Sequence, residues 1–171
     1  MQDNQVTKGA LRRAWFIWET FVQCCYNYER MMGLACAHTF VPIVKCLYRN
    51  NPEKQKELMK RQIEFFNVHI EFGACILGMA IALEEEKAKG ENIPAQFITN
   101  IKTSLMGPLA GLGDTVWQGV VIPILLAICI DISLAGDGNI WGAVIYAVVI
   151  VAAAYAFSYA NFMFGYRAGH D

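Results

Sequence analysis

Positive charge is missing from a long stretch of this sequence. Of the 14 lysines and arginines, 13 precede residue 103, residues 103–166 contain none, and Arg167 is the last. Charged residues make up 17% of the 171-residue chain, against about 25% in an ordinary soluble domain. A polar front followed by an apolar back without basic residues predicts insertion into a membrane. The net charge of −1 supplies no basic surface, so we expect no nucleic-acid partner.

Signatures of metal and cofactor sites are also lacking. The six cysteines form no CxxC pair, and His38, His69 and His170 show no ligand spacing. No glycine-rich phosphate loop follows a strand, and no strand-like alternation is sustained. We therefore expect no metal, no cofactor and an all-α fold whose cysteines are mostly small buried thiols. Only the cysteines and histidines favour a membrane-bound redox or metal enzyme, which is the weakest of three function hypotheses.

The strongest positive feature is the uncharged run over residues 138–166. About 20 apolar residues cross a bilayer as a helix, so this run predicts at least one full transmembrane helix. Trp141 near one end, and Tyr155, Tyr159 and Tyr166 toward the other, are suited to the two membrane interfaces.

The N-terminal part predicts amphipathic helices. Within residues 11–47, Leu11, Trp15, Trp18 and Val22 recur at helical spacing. With the flanking arginine pair, such a helix suits the headgroup region or a membrane partner. The alternative is an amphipathic core helix of a soluble protein.

Residues 63–83 are apolar again and carry a row of small side chains. Ala74, Gly78 and Ala82 are four residues apart, a spacing that lets helix backbones approach closely inside a membrane bundle. The acidic run that follows, Glu84-Glu85-Glu86, is predicted to be a solvated helix end rather than a paired-carboxylate site.

Polar side chains cluster where this apolar segment begins. Asn67, His69 and Glu71 lie close in sequence, and a helix here would place Asn67 and Glu71 on one face, with His69 elsewhere. Asn67 is a candidate contact for sugar hydroxyls, with His69 and Glu71 nearby. For His69 the alternative is a structural histidine satisfied by its neighbours.

The most informative short segment interrupts the apolar stretch with Gly107, Pro108, Gly111 and Gly113, followed by Asp114. Such breaks are tolerated at membrane depth where protein or a water-filled cavity satisfies the freed backbone groups. We predict a re-entrant hairpin turning around residues 107–114. An intramembrane carboxylate is a functional-site hypothesis by default, so Asp114 is a candidate sugar contact. The alternative is that Asp114 caps a helix and shapes the hairpin.

A third polar cluster lies between the first apolar stretches. Asn27, Glu29 and Arg30 place an acid and a base in an apolar neighbourhood. We interpret them as an ion pair or interfacial anchor, or as a subunit contact.

Together these segments resemble the IID component of the mannose/fructose/sorbose family of bacterial phosphotransferase-system (PTS) sugar permeases. The string Gly-Pro-Leu-Ala-Gly-x-Gly-Asp is the most specific match. In family order the matching segments cover residues 26–31, 42, 47–48, 64–67, 77–85, 101–102, 107–114 and 164–169.

The resemblance implies a non-catalytic subunit of the bacterial inner (cytoplasmic) membrane, multi-pass or re-entrant. It implies a complex with the IIC subunit, commonly a trimer of IIC–IID pairs, that moves a hexose inward. Phosphate would pass through the IIA and IIB components, and IIB would phosphorylate the sugar. Asn67 and Asp114 are then expected nearest the sugar path. Asn27, Glu29, Arg30, Gly107, Pro108, Gly111 and Gly113 are expected to be structural.

The resemblance also sets an expectation about extent. Residues 1–171 are predicted to be a single IID-like membrane domain, and family members usually continue beyond the position of Gly169. The C-terminal membrane segments would then be missing or supplied separately. A membrane scaffold or interaction subunit without substrate contact is therefore the main alternative function.

Overall fold

The structure is a computed structural model that describes residues 5–135 and 138–171. In these ranges the regular elements are all helices, and the only β-type pairings are isolated bridges. The all-α prediction is confirmed for the described residues. In chain order the helices are α1 Lys8–Phe21, α2 Gly33–Thr39, α3 Val41–Leu47, α4 Pro52–Gln62, α5 Ile70–Lys89, α6 Ala95–Gly113, a π-helical segment Asp114–Val121, α7 Ile122–Ala135 and α8 Trp141–Ala168.

Local sequence explains several helix ends. The Thr7 side chain accepts a hydrogen bond from the Ala10 amide at 3.1 Å and so caps α1. Asn51 caps α4 in the same way, immediately before Pro52 at the first turn. Gly90 ends α5 with a φ of 113°, in the left-handed region that favours glycine.

Helix α1 packs against helices of its own chain. It buries Ala10, Leu11, Ala14 and Trp18, and the Trp18 indole donates a 3.1 Å hydrogen bond to the carbonyl of Ile70. The predicted amphipathic pattern is confirmed, since the buried face follows helical spacing. Helices α1–α4 pack against one another and form an N-terminal body, which contacts α5 through α1 and α3.

Small residues bring α5 and α8 into backbone contact. A Cβ at Gly78 would clash with the backbone of Phe162, and one at Gly165 would clash with the carbonyl of Cys75. The predicted role of Gly78 in close helix approach is confirmed. The two glycines fix the C-terminal part of α8 against α5.

The predicted hairpin around residues 107–114 is wrong. The chain continues as helix from Ala95 to Ala135, with Pro108 inside α6. Gly107, Gly111 and Gly113 are not among the glycines with positive φ, so none of them turns the chain. The alternative of a capping role is also wrong, because Asp114 lies within continuous helix and makes no side-chain cap. The break in regularity is instead the change from α to π geometry at Asp114.

Exposed apolar surface is concentrated on one part of the molecule. Most exposed large apolar side chains lie between Leu112 and Phe157, on the π-helical segment, α7 and the first half of α8. The helices Ala95–Ala135 and Trp141–Ala168 are long and apolar enough to cross a membrane, and little of their most apolar stretch is buried. The prediction of at least one spanning helix is confirmed in this sense. The most extensive exposed apolar surface thus lies on the ends of these helices away from the N-terminal body.

The acidic run at the end of α5 differs from its prediction. Glu84 and Glu85 are 0% and 4% exposed, so the expected solvated helix end is wrong. Arg61 donates to Glu84 from Nε and Nη2 at 3.1 and 2.9 Å, and Gln62 Nε2 donates at 3.0 Å. Gln62 Oε1 in turn accepts a 2.8 Å hydrogen bond from the buried Lys102. This chain of polar contacts ties α4, α5 and α6 together.

Candidate functional site

A polar cavity of about 310 Å³ lies beside the start of the exposed apolar surface. Its walls come from the chain after α1, the segment before α5, the end of α6 and the π-helical segment. All three candidate substrate residues, Asn67, His69 and Asp114, line it. The complete lining is Gln23, Met32, Asn67, Val68, His69, Ile70, Glu71, Ala110, Asp114 and Gln118.

The segment before α5 does not have the predicted helical form. Helix α5 begins at Ile70, and His69 has extended backbone angles, φ −63° and ψ 136°. The expectation that Asn67 and Glu71 share a helical face while His69 points elsewhere is therefore wrong. The extended backbone instead allows Asn67, His69 and Glu71 to line the same cavity.

The His69 ring is packed tightly and incompletely satisfied. It is 8% exposed, and Gly113 lies against it so closely that a Cβ at residue 113 would clash with the ring. Nδ1 lies 2.9 Å from Glu71 Oε2, but the angles are not those of a hydrogen bond. Nδ1 is the one buried side-chain polar atom without a hydrogen-bond partner in the described part of the chain. The 2.9 Å approach of the Glu71 carboxylate is thus the polar contact that Nδ1 makes in this part of the chain.

Asn67 is held from two sides. The Tyr26 hydroxyl donates a 3.0 Å hydrogen bond to Asn67 Oδ1, and the Asn67 backbone amide contacts Met106 Sδ at 3.3 Å. With its oxygen occupied by Tyr26, the amide group presents Nδ2 as the group that remains to donate.

The π-helical segment supplies the opposite wall. Asp114 and Gln118 are four residues apart and both line the cavity, although the backbone here is π- rather than α-helical. Their side chains make no hydrogen bond or ion pair to another described residue, and the same holds for Gln23. Short π-helical insertions are frequent at functional sites because they re-aim side chains. A carboxylate and two amides are thus available to a polar ligand.

The predicted structural residues have separate places. Asn27 Oδ1 accepts a 2.9 Å hydrogen bond from the Arg30 amide, and Arg30 lies 3.3 Å from Glu29 on the surface. This confirms the ion pair, which is exposed and therefore of small energetic value. Gly107 and Gly111 have open space where a Cβ would stand.

A second polar network adjoins the cavity from the side of α1. Trp15 Nε1 donates to Ser158 Oγ at 3.0 Å, and Ser158 Oγ donates to Glu19 Oε2 at 2.6 Å. Burial raises the pKa of Glu19 above its usual 4.5, the Ser158 hydrogen bond opposes this shift, and the charge of Glu71 adds to it. The network couples α1 to α8 close to the cavity.

Metal and thiol chemistry find little support in the described residues. No group of three or more histidine, cysteine or acidic side chains there is arranged to hold a metal ion. All six cysteines are free, and Cys36 and Cys129 are buried, whereas Cys24 and Cys25 are exposed. Cys46 and Cys75 are half-buried, so the expectation of mostly buried thiols is wrong.

Sequence reasoning missed two polar members of the cavity, Gln23 and Gln118. Gln118 follows Asp114 by four residues within an apolar stretch that has few polar side chains, and that isolation was a usable signal. Gln23 had no such signal, because it lies at the end of an amphipathic helix where polar residues are ordinary.

Comparison with known proteins identifies the family. Residues 5–171 match the family model described as the PTS system mannose/fructose/sorbose family IID component. The mannose-specific EIID component of Escherichia coli K12 is 35% identical over 99% of this chain and 59% of its own length. The fructose permease IID component of Bacillus subtilis strain 168 is 34% identical over 91% of this chain and 56% of its length. The sorbose-specific EIID component of Lacticaseibacillus casei is 34% identical over 97% and 57%.

Solved structures agree with this assignment. The cryo-EM structure of the mannose transporter ManYZ with microcin E492 contains a chain with a TM-score of 0.91 and 34% identity. That match covers 98% of the present chain and 60% of the solved one. The present chain thus spans somewhat under two thirds of the length of these relatives. From its sequence match, its helical fold and its apolar spanning helices, the chain belongs to the mannose/fructose/sorbose family of PTS IID components.

Proposed function

We propose that this chain is a membrane subunit of a phosphoenolpyruvate-dependent sugar phosphotransferase system. In this role it assists the inward passage of a hexose that the IIB component phosphorylates. Its family membership and the sugar-specific names of its relatives support this proposal. The same names disfavour a scaffold that contacts no substrate.

The observation that carries the sugar assignment is the polar cavity. Asn67 and His69 lie more than 40 residues before Asp114 in the sequence, yet all three line one space at the base of the apolar helices. Small-molecule sites are concave and present a few placed polar groups, and sugar hydroxyls both donate and accept hydrogen bonds. In our proposal Asp114 accepts from a hydroxyl, Asn67 Nδ2 donates to one, and His69 forms part of the wall between them.

We assign no phosphoryl transfer to this chain. In this scheme IIA would phosphorylate IIB, and IIB would transfer the phosphate to the sugar. The present chain would act as a non-catalytic permease subunit. A IIC partner, in a trimer of IIC–IID pairs within the bacterial inner membrane, completes the proposed assembly. The similarity to a chain of the ManYZ transporter structure supports the IIC partnership.

The experiment that tests the assignment measures phosphoenolpyruvate-dependent phosphorylation of labelled hexoses. Vesicles contain the partner IIC, IIB and IIA components, with or without this chain. Phosphorylation that requires the chain supports the proposal, and competition among unlabelled hexoses identifies the sugar. An assembled complex with competent partners that shows no phosphorylation would contradict it.

A further inference from the structure

A second, larger cavity lies among the N-terminal helices. Its volume is about 610 Å³, within the usual range of ligand pockets. Almost all of its wall is apolar and comes from the chain after α1 and from helices α1, α2, α3 and α4. The lining residues are Phe21, Cys25, Leu34, Ala35, Ala37, His38, Val41, Lys56, Met59, Lys60 and Ile63.

Two lysine side chains line this otherwise apolar cavity. Lys56 and Lys60 are one turn apart on α4, both are exposed, and both line the cavity. Neither has a carboxylate within 4.0 Å among the described residues, whereas Arg61 on the same helix is paired with Glu57 and Glu84. An apolar space next to unpaired cations matches a ligand with a hydrocarbon part and an anionic part.

The position of the cavity favours a membrane lipid as that ligand. Cys25 and Ile63 line it. Cys25 shortly follows Gln23 in the sequence, and Ile63 shortly precedes Asn67. Gln23 and Asn67 both line the polar cavity at the base of the apolar helices. Exposed aromatic side chains occupy the same two connecting segments, at Tyr26, Tyr28 and Phe65. Aromatic side chains of this kind are typical of the membrane–water interface.

We propose that the larger cavity holds an acyl chain of an anionic phospholipid whose phosphate contacts Lys56 and Lys60. Burial of the acyl chain would remove apolar side chains such as Leu34 and Phe21 from water. The two ammonium groups would supply the preference for an anionic headgroup. This inference needs only the membrane location of the chain and does not depend on its role in sugar transport.

The charge part of the proposal is tested by titrating phosphatidylglycerol or phosphatidylcholine into the full chain in detergent, followed by native mass spectrometry. The wild type is expected to retain phosphatidylglycerol preferentially. The Lys56→Gln/Lys60→Gln pair should bind it on the order of 30-fold more weakly, taking about 1 kcal/mol for each lysine. Lys45→Gln/Lys54→Gln is the matched control, because it removes the same charge outside the cavity. No headgroup preference, or an equal loss in the control pair, would overturn the proposal.

The location of the acyl chain is tested by thiol labelling. Cys25 lines the cavity and its exposed neighbour Cys24 does not, so each serves as the other's control in Cys24→Ser and Cys25→Ser variants. Phosphatidylglycerol is expected to slow maleimide labelling of Cys25 and to leave Cys24 unchanged. Equal protection of both thiols, or of neither, would contradict the location.

A blocking variant completes the test. Leu34→Trp should fill the mouth of the cavity, and since Leu34 is 43% exposed the fold should tolerate the larger side chain. We expect lost phosphatidylglycerol binding with a circular dichroism spectrum like that of the wild type. Unchanged lipid binding by a folded variant would overturn the proposal. Protection of Cys25 by a partner subunit in lipid-free detergent, without protection by lipid, would identify a protein occupant instead.

Discussion

Replacing Glu84 by alanine should destabilise the N-terminal body severely. Glu84 is fully buried and accepts hydrogen bonds from Arg61 and Gln62. Removing one partner of a buried ion pair costs about 3–5 kcal/mol, because the remaining charge stays out of water without compensation. Arg61 keeps its 2.7 Å contact with Glu57, so we expect about 3 kcal/mol, near the lower end of that range.

A series at this position separates the charge from the shape. Glu84→Gln also removes the charge but retains the volume and one acceptor oxygen, so its cost should be smaller than that of Glu84→Ala. The assay is thermal unfolding of the purified chain in detergent, where about 3 kcal/mol corresponds to a fall of roughly 6–12 °C for a chain of this size. Glu91→Ala is the matched control, because Glu91 is exposed in a loop, and we expect a change within about 0.5 kcal/mol.

Two results would refute this reasoning. A Glu84→Ala variant as stable as Glu91→Ala would show that the buried contacts contribute nothing net. A Glu84→Gln variant as unstable as Glu84→Ala would show that the loss of the charge accounts for the whole cost and that the retained volume and acceptor oxygen contribute nothing.

Two further predictions concern the packing of α8. Gly165→Leu should separate α5 from α8 and lower the unfolding temperature, because a side chain at residue 165 would clash with Cys75. Gly107→Leu is the control and should leave the unfolding temperature unchanged, because Gly107 faces open space. Equal effects in both variants would contradict this packing. The raised pKa of Glu19 means that the folded state binds its proton more tightly, so this group's contribution to stability is lost as pH rises from 4.5 through the folded-state pKa. Glu19→Gln can still accept the hydrogen bond from Ser158. The stability of this variant relative to the wild type should therefore be higher at neutral pH than at acid pH. A stability difference that does not change with pH would contradict this linkage.

Sequence patterns predicted the helical class and the apolar helices because those depend on periodicity and length. The buried face of α1 and the role of Gly78 followed from spacing alone. The hairpin failed because glycine and proline permit a turn without requiring one. Gly107 and Gly111 adopt ordinary helical backbone in this fold.

The candidate cavity was only partly predictable. Asn67, His69 and Asp114 stood out because polar groups are costly in apolar stretches. Their meeting depends on extended backbone at His69 and on Gly113 accepting the imidazole ring, which are tertiary features. The burial of Glu84 could not be predicted from the sequence either. A run of glutamates at the end of a helix is typical of a solvated end, and only the tertiary contact with Arg61 on α4 shows otherwise.

Contact between the polar cavity and a transported sugar can be examined by measuring hexose uptake with Asp114→Asn and Asn67→Ala. Uptake is measured in vesicles that contain the complete complex, and co-purification of the IIC partner checks assembly of each variant. We expect reduced uptake in both variants with assembly intact. Normal uptake and normal sugar affinity in both assembled variants would contradict it.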